Sequence, residues 1–197
     1  MTPIGPPEPL RYTHTAIALH WLLGVAILVS LGVGLTMTEL PISPLRLRLY
    51  NWHKWAGITI LTLSAMRLLW RLTHRPPPDV PMPRWQQRAA HATHALLYVL
   101  FFAVPLAGWA YSSAAGFPVV WFGVLPLPDL VAPDKPLAAS LKLVHRLLAY
   151  SLGGLVMLHI GAGLKHQLLD RDGLLMRMWP LRRGPQIAHR STGSTGH

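Results

Sequence analysis

Four histidines sit where their imidazoles could share metal ions inside a membrane. His145 and His159 stand fourteen residues apart in one apolar stretch, residues 141–167. At 1.5 Å and 100° per residue, such a step climbs about 21 Å and returns to within roughly 40° of the starting azimuth. Both rings therefore lie on one helical stripe, one near each face of a bilayer. His20 and His53 lie near the starts of two further apolar stretches. A single histidine at such a depth is explained by a hydrogen bond to a neighbouring helix. Four at matched depths point instead to two stacked haems, each iron held by two neutral imidazoles. That ligation suits electron transfer, because it leaves neither face open to oxygen.

Composition agrees with a membrane setting. Of 197 residues, 51% are hydrophobic and only 13% charged, against roughly a quarter charged in a soluble domain. The mean hydropathy is +0.34. The formal net charge is +11. The apolar runs make membrane orientation, and not nucleic-acid binding, the reason for that surplus. The chain has no cysteine. This excludes disulfides, thiolate metal sites, cysteine-ligated iron–sulfur clusters and covalent haem attachment, so any haem b is held non-covalently.

The elements that must carry the histidines follow from hydropathy and prolines. Residues 1–11 read as an exposed lead-in without the pattern of a removable signal peptide. Spans are expected at 15–38, 50–72, 91–112 and 141–167, within a transmembrane domain covering 12–180. The fold class is thus an all-α membrane protein, a four-transmembrane-helix bundle enclosing two haems b. Trp52, Trp55 and Trp70 lie at the ends of the second span, as in an aromatic belt. Pro76, Pro77 and Pro78 make residues 73–88 an extended connector. Pro105 and Gly108 predict a kink in the third span. Residues 116–135, broken by Pro118, Pro126, Pro128 and Pro133, read as a loop or short interfacial helix. Residues 170–180 read as a short polar end, and 181–197 as a disordered tail.

Four crossings put both termini on one side. That side, with the connector, carries twelve Lys and Arg against six on the other, which places the termini in the cytoplasm of a bacterial inner membrane. His20 and His159 then share the inner depth, and His53 and His145 the outer. One turn after each ligand comes a small residue: Gly24, Gly57, Ala149 and Gly163. Side chains at i and i+4 share a helix face, so these positions leave room for a flat macrocycle. Small residues also serve helix packing in membranes.

Other residues have both a bland and a functional reading. His91 and His94 open the third span at the inner side; either could replace His20 or His159, or face the interface. Arg67 and Arg146 either snorkel to headgroups or pair with haem propionates. His166, two turns beyond His159, either anchors the interface or donates a hydrogen bond to a quinone. Arg84 in the connector is the weaker quinone candidate.

The residues Ala18-Leu19-His20-Trp21-Leu22, Trp52-His53-Lys54-Trp55-Ala56-Gly57, Arg67-Leu68-Leu69-Trp70-Arg71-Leu72, His91-Ala92-Thr93-His94, Pro105-Leu106-Ala107-Gly108, Val144-His145-Arg146 and Leu158-His159 occur in collinear order. So does the closing run from Arg171-Asp172-Gly173 to Trp179-Pro180. Over about 12–180 the chain resembles the bacterial cytochrome b561 family. The resemblance implies two b haems on His20, His53, His145 and His159, electron exchange with ubiquinone, and in some members oxidation of superoxide at the outer face. The outer side, with six Lys and Arg against Glu39, Asp129 and Asp134, would steer a small anion or dock an acidic redox donor. The chain is also similar to the haem b anchor subunits of hydrogenase and formate dehydrogenase complexes, which makes an anchor role the competing function. A non-haem metal protein or transporter is the third class. Its dense histidine–carboxylate clusters are lacking in the sequence.

Overall fold

The computed structural model describes residues 11–180, so the expectations for 1–10 and for the tail 181–197 lie outside the described residues. Four long helices dominate: α1 His14–Glu39, α2 Pro44–Thr73, α3 Arg84–Ala114 and α4 Lys135–Lys165. Their starts are set by local chemistry. The Thr13 hydroxyl accepts from the Ala16 amide at 3.3 Å, and the Ser43 hydroxyl from the Arg46 amide at 3.3 Å. The Asp134 carboxylate accepts from the Leu137 amide at 2.8 Å. Each cap satisfies an amide that the first turn leaves without a partner. Pro44 and Pro136 sit in first turns, where a missing N–H costs nothing.

The helices are longer than expected. α4 begins at Lys135 and not at 141, because the Asp134 cap and Pro136 start a helix upstream of the apolar run. α3 begins at Arg84, so Arg84 opens a helix and does not belong to the connector. α3 also continues through Pro105. Residues 116–134 form no helix. They contain a small antiparallel ladder, β1 Val120–Trp121 with β2 Leu125–Pro126. Phe122 (φ 51°) and Gly123 (φ 73°) turn it, both in the left-handed region. The Trp55 indole donates to Val120 O at 2.6 Å and Lys54 Nζ to Pro118 O at 3.0 Å, tying this hairpin to the N-terminal half of α2.

Three helices are long and apolar enough to cross a membrane: α1, α3, and α4 extended to Asp170. α2 is the exception, with Arg46, Arg48, Lys54, Arg67 and Arg71 along it. Outward-facing Leu22, Val25, Leu28 and Val29 on α1, and Leu147, Met157, Leu158 and Leu164 on α4, give an exposed apolar surface suited to lipid tails. The interior is thin. Leu23, Ile27, Ile60, Leu97, Leu100 and Leu152 form one central cluster with a member from every helix. In a bilayer such a cluster acts through close packing, because lipid is as apolar as leucine.

The helices pair as two hairpins, α1 with α2 and α3 with α4, joined chiefly where α2 meets α3. Beyond α4, a π-helical turn His166–Asp170 and a 3-10 turn Leu175–Met178 lead the chain back to the inner end. There Trp21 Nε1 donates to Met178 O at 2.7 Å and Arg177 Nη1 to Pro78 O at 2.6 Å. The polar end expected at 170–180 is thus a strap fixed to α1 and to the connector.

Candidate haem-binding site

The bundle brings the four depth-matched histidines together in two pairs. The His20 and His159 ring centroids are 6.1 Å apart with planes at 75°. Those of His53 and His145 are also 6.1 Å apart, at 79°. A metal held by one nitrogen from each ring, at about 2 Å each, needs centroids roughly 6 Å apart. Both pairs meet that requirement, and the central cluster fills the space between the two levels.

The surroundings fit a macrocycle as well as an iron. A Cβ built on Gly24, Gly57 or Gly163 would meet nothing within 4 Å. Open space therefore lies beside His20, His53 and His159, one turn further along each helix. Arg67 donates from Nε to Tyr98 Oη at 3.1 Å, while its Nη1 is buried with no partner among the described residues. An orphaned guanidinium nitrogen at the level of the inner pair suits a propionate carboxylate. Arg146, beside His145, is exposed.

The His53–His145 pair, expected at the outer face, is held by two seats that sequence reasoning missed. His53 Nδ1 lies 3.1 Å from the carbonyl of Ser30 and 3.2 Å from its hydroxyl. His145 Nδ1 lies 3.0 Å from the carbonyl of Val104. A carbonyl can only accept, so Nδ1 carries the proton in both rings and the Nε2 lone pair is free for a metal. Four residues beyond each carbonyl is a glycine pressed against the same ring. A Cβ on Gly34 would stand 3.1 Å from His53 Cε1, and one on Gly108 2.9 Å from His145 Cε1. Side chains lean toward the helix N-terminus, so a residue at i+4 overhangs the carbonyl at i, and only glycine lets an imidazole reach it.

A signal for these seats exists in the sequence as a repeat. Ser30 and Gly34 follow His20 at the offsets by which Val104 and Gly108 follow His94. Likewise Arg67 follows His53 as His159 follows His145. The core positions repeat too, with Leu23 matching Leu97 and Ile60 matching Leu152. Each hairpin thus seats an outer histidine from its second helix on the carbonyl and glycine of its first. At the inner level the repeat places His94 opposite His20, and the His94 ring is 5.4 Å from that of His159. Of the two alternates, His94 joins the inner cluster, whereas His91 turns outward to Asp79 at 3.0 Å.

At the inner end of α4, His166 Nδ1 lies 2.6 Å from Asp172 Oδ2 and 3.2 Å from Asp170 Oδ2. The ligand atoms of these three residues fall within 4.8 Å of one another. Lys165 Nζ engages Asp170 Oδ2 at 2.6 Å, so one of the two carboxylates already has an ammonium partner. Arg84 lies exposed at the first residue of α3, apart from this cluster in the chain.

The family model for prokaryotic cytochrome b561 matches residues 11–181. The chain belongs to the prokaryotic cytochrome b561 family. It is 33% identical over 178 residues to "Cytochrome b561 homolog 2" of Escherichia coli (strain K12), covering 86% of this chain and 92% of that protein. "Cytochrome b561 homolog 1" of the same organism is 31% identical over 183 residues, covering 88% and 99%. "Probable superoxide oxidase CybB" of Yersinia pestis is 33% identical over 180 residues, covering 88% and 98%. A cytochrome b561 is a helical-bundle membrane protein that binds haem b and transfers electrons, and the apolar helices here belong to that setting.

Proposed function

We propose that this cytochrome b561 carries two haems b, one on His53 and His145 near the outer face and one on His20 and His159 near the inner face. It passes electrons from an outer donor to ubiquinone. The single observation carrying the reading is the pair of 6.1 Å centroid separations at two depths. When bound, the haems supply one-electron transfer across a distance that helix geometry puts at about 20 Å. α2 crosses the membrane with the other three helices, its charged residues lying at the two ends around an apolar middle. The chain sits in a bacterial inner membrane with both termini in the cytoplasm, as the Lys and Arg distribution favours.

The residues divide the work. The four histidines would hold iron, His53 and His145 through the Nε2 that their carbonyl bonds leave free. Arg67 neutralises a propionate at the inner level, and Arg146 adds to the positive outer surface. His166, with Nδ1 engaged by Asp172, keeps Nε2 for a quinone oxygen at the water boundary, where protons are available. Arg84 stands at the start of α3 on the same side. Superoxide is the donor favoured by the positive outer side and by the name of the Yersinia relative. Two superoxide anions each lose one electron to give dioxygen. One ubiquinone takes both electrons and two protons from the inner side to give the quinol.

The test mixes purified, haem-loaded protein with superoxide and ubiquinone in a stopped-flow spectrometer. Rapid haem reduction followed by quinol formation is expected, with two haems per chain by pyridine haemochrome. Unchanged haem spectra would remove superoxide as donor. Fewer than two haems in fully loaded protein would remove the di-haem reading. A stoichiometric iron–sulfur subunit that copurifies and reduces the haems would establish the anchor role instead.

A further inference from the structure

The two histidine pairs share a separation but not their surroundings. Both outer rings donate Nδ1–H to main-chain carbonyls, Ser30 O at 3.1 Å and Val104 O at 3.0 Å. Among the described residues, neither inner ring has a hydrogen bond. The neighbours of the inner pair are instead His94, 5.4 Å from His159 between centroids, and the guanidinium of Arg67, whose charge acts on both His20 and His159. An imidazole whose far nitrogen donates to a carbonyl is a more basic ligand, and a more basic ligand favours the oxidised metal. A nearby cation favours the reduced metal, because it stabilises the added electron. Both differences act in one direction.

We propose that Ser30, Gly34, Val104 and Gly108 are positioning residues that set the outer histidine pair at a lower reduction potential than the inner pair. Electrons entering from the outer face therefore run inward and downhill. The proposal rests on the two-haem reading above. Its mechanism is in the protein. The glycines at 34 and 108 let the rings reach the carbonyls, the carbonyls fix the Nδ1 proton, and Nε2 becomes the stronger donor. The same device on both hairpins, at the same offset of carbonyl to glycine, makes the outer seat a two-sided clamp.

The experiment is a potentiometric titration of the haem-loaded full chain, followed by visible and low-temperature EPR spectra. His159→Ala identifies the outer signal and His53→Ala the inner one, because each removes a ligand of one pair only. In the native chain the outer signal is expected to titrate below the inner. Gly34→Ala and Gly108→Ala push the ring off its carbonyl and should raise the outer potential. The electron distribution between the pairs should shift about tenfold toward the outer one, which is about 59 mV for one electron. The outer EPR signal should change its anisotropy while the inner stays fixed. An outer signal titrating at or above the inner one in the native chain would overturn the proposal. So would glycine variants that load both haems with unchanged potentials. Should a glycine variant fail to load the outer haem, the order measured in the native chain decides. A haem count below two would bring down the two-haem reading itself, whereas two haems in the reverse order would overturn the potential assignment alone.

Discussion

Each histidine proposed to bind iron faces a partner ring at 6.1 Å, which makes single substitutions informative. His145→Ala leaves His53 opposed by no imidazole, and His159→Ala does the same to His20. Each variant should therefore keep one haem per chain by pyridine haemochrome, with the remaining absorption close to that of one native haem. Loss of both haems from either variant would mean that the levels are not independent. His94, with its ring 5.4 Å from that of His159, is the residue through which partial replacement at the inner level would occur. Adding His94→Ala to His20→Ala separates that rescue from direct ligation.

At the scale of elements, the connector and the terminal strap determine how the inner ends of the helices are held. Asp79 in the connector accepts from Gln87 Nε2 at 2.8 Å and lies 3.0 Å from His91 Nε2, both on α3. The Gln87 hydrogen bond, with help from His91, holds the Asp79 carboxyl below its ordinary 3.8. A carboxyl lowered in the folded state contributes stability above the unfolded pKa and loses it as pH falls through the folded value. The connector should therefore loosen from α3 below about pH 3.8 and not on the alkaline side. Hydrogen exchange over 74–83 at pH 5 and pH 3 measures this, and Asp79→Asn should abolish the difference. The effect is small, because the pair is exposed and water screens it.

For the whole molecule, the arrangement in the membrane is the property most open to a direct check. The chain has no cysteine, so single introduced cysteines report without background. In cells, a membrane-impermeant maleimide should label Asp129→Cys from outside and spare Arg75→Cys until the inner membrane is opened. Labelling of Arg75→Cys alone in intact cells would overturn either the assigned orientation or the crossing of α2. Labelling of both from outside would deny α3 its crossing, because α3 alone separates the two sites in the chain.

How much was legible beforehand depended on the range of each signal. The helices, the histidine depths and the small residues after each histidine were readable, because hydropathy and the 3.6-residue period are local properties of the chain. Helix starts were misjudged by about six residues at α2 and α4 and by about seven at α3. Side-chain caps at Ser43 and Asp134 start α2 and α4 upstream of their apolar runs, and α3 opens directly after Pro83. The strand pair at 120–126 was missed because its left-handed turn at Phe122 is uncommon for an aromatic residue. The seats under His53 and His145 needed the tertiary structure. A carbonyl is present at every residue, and only the packing of α1 on α2 and of α3 on α4 selects Ser30 and Val104. By itself the sequence determined that four histidines stand at two levels along long helices, since rise and rotation per residue are fixed. Only the tertiary structure decided which ring faces which, and that the outer rings are held by carbonyls while the inner ones sit beside a charge. Those relations depend on how separate helices meet, which no local period encodes.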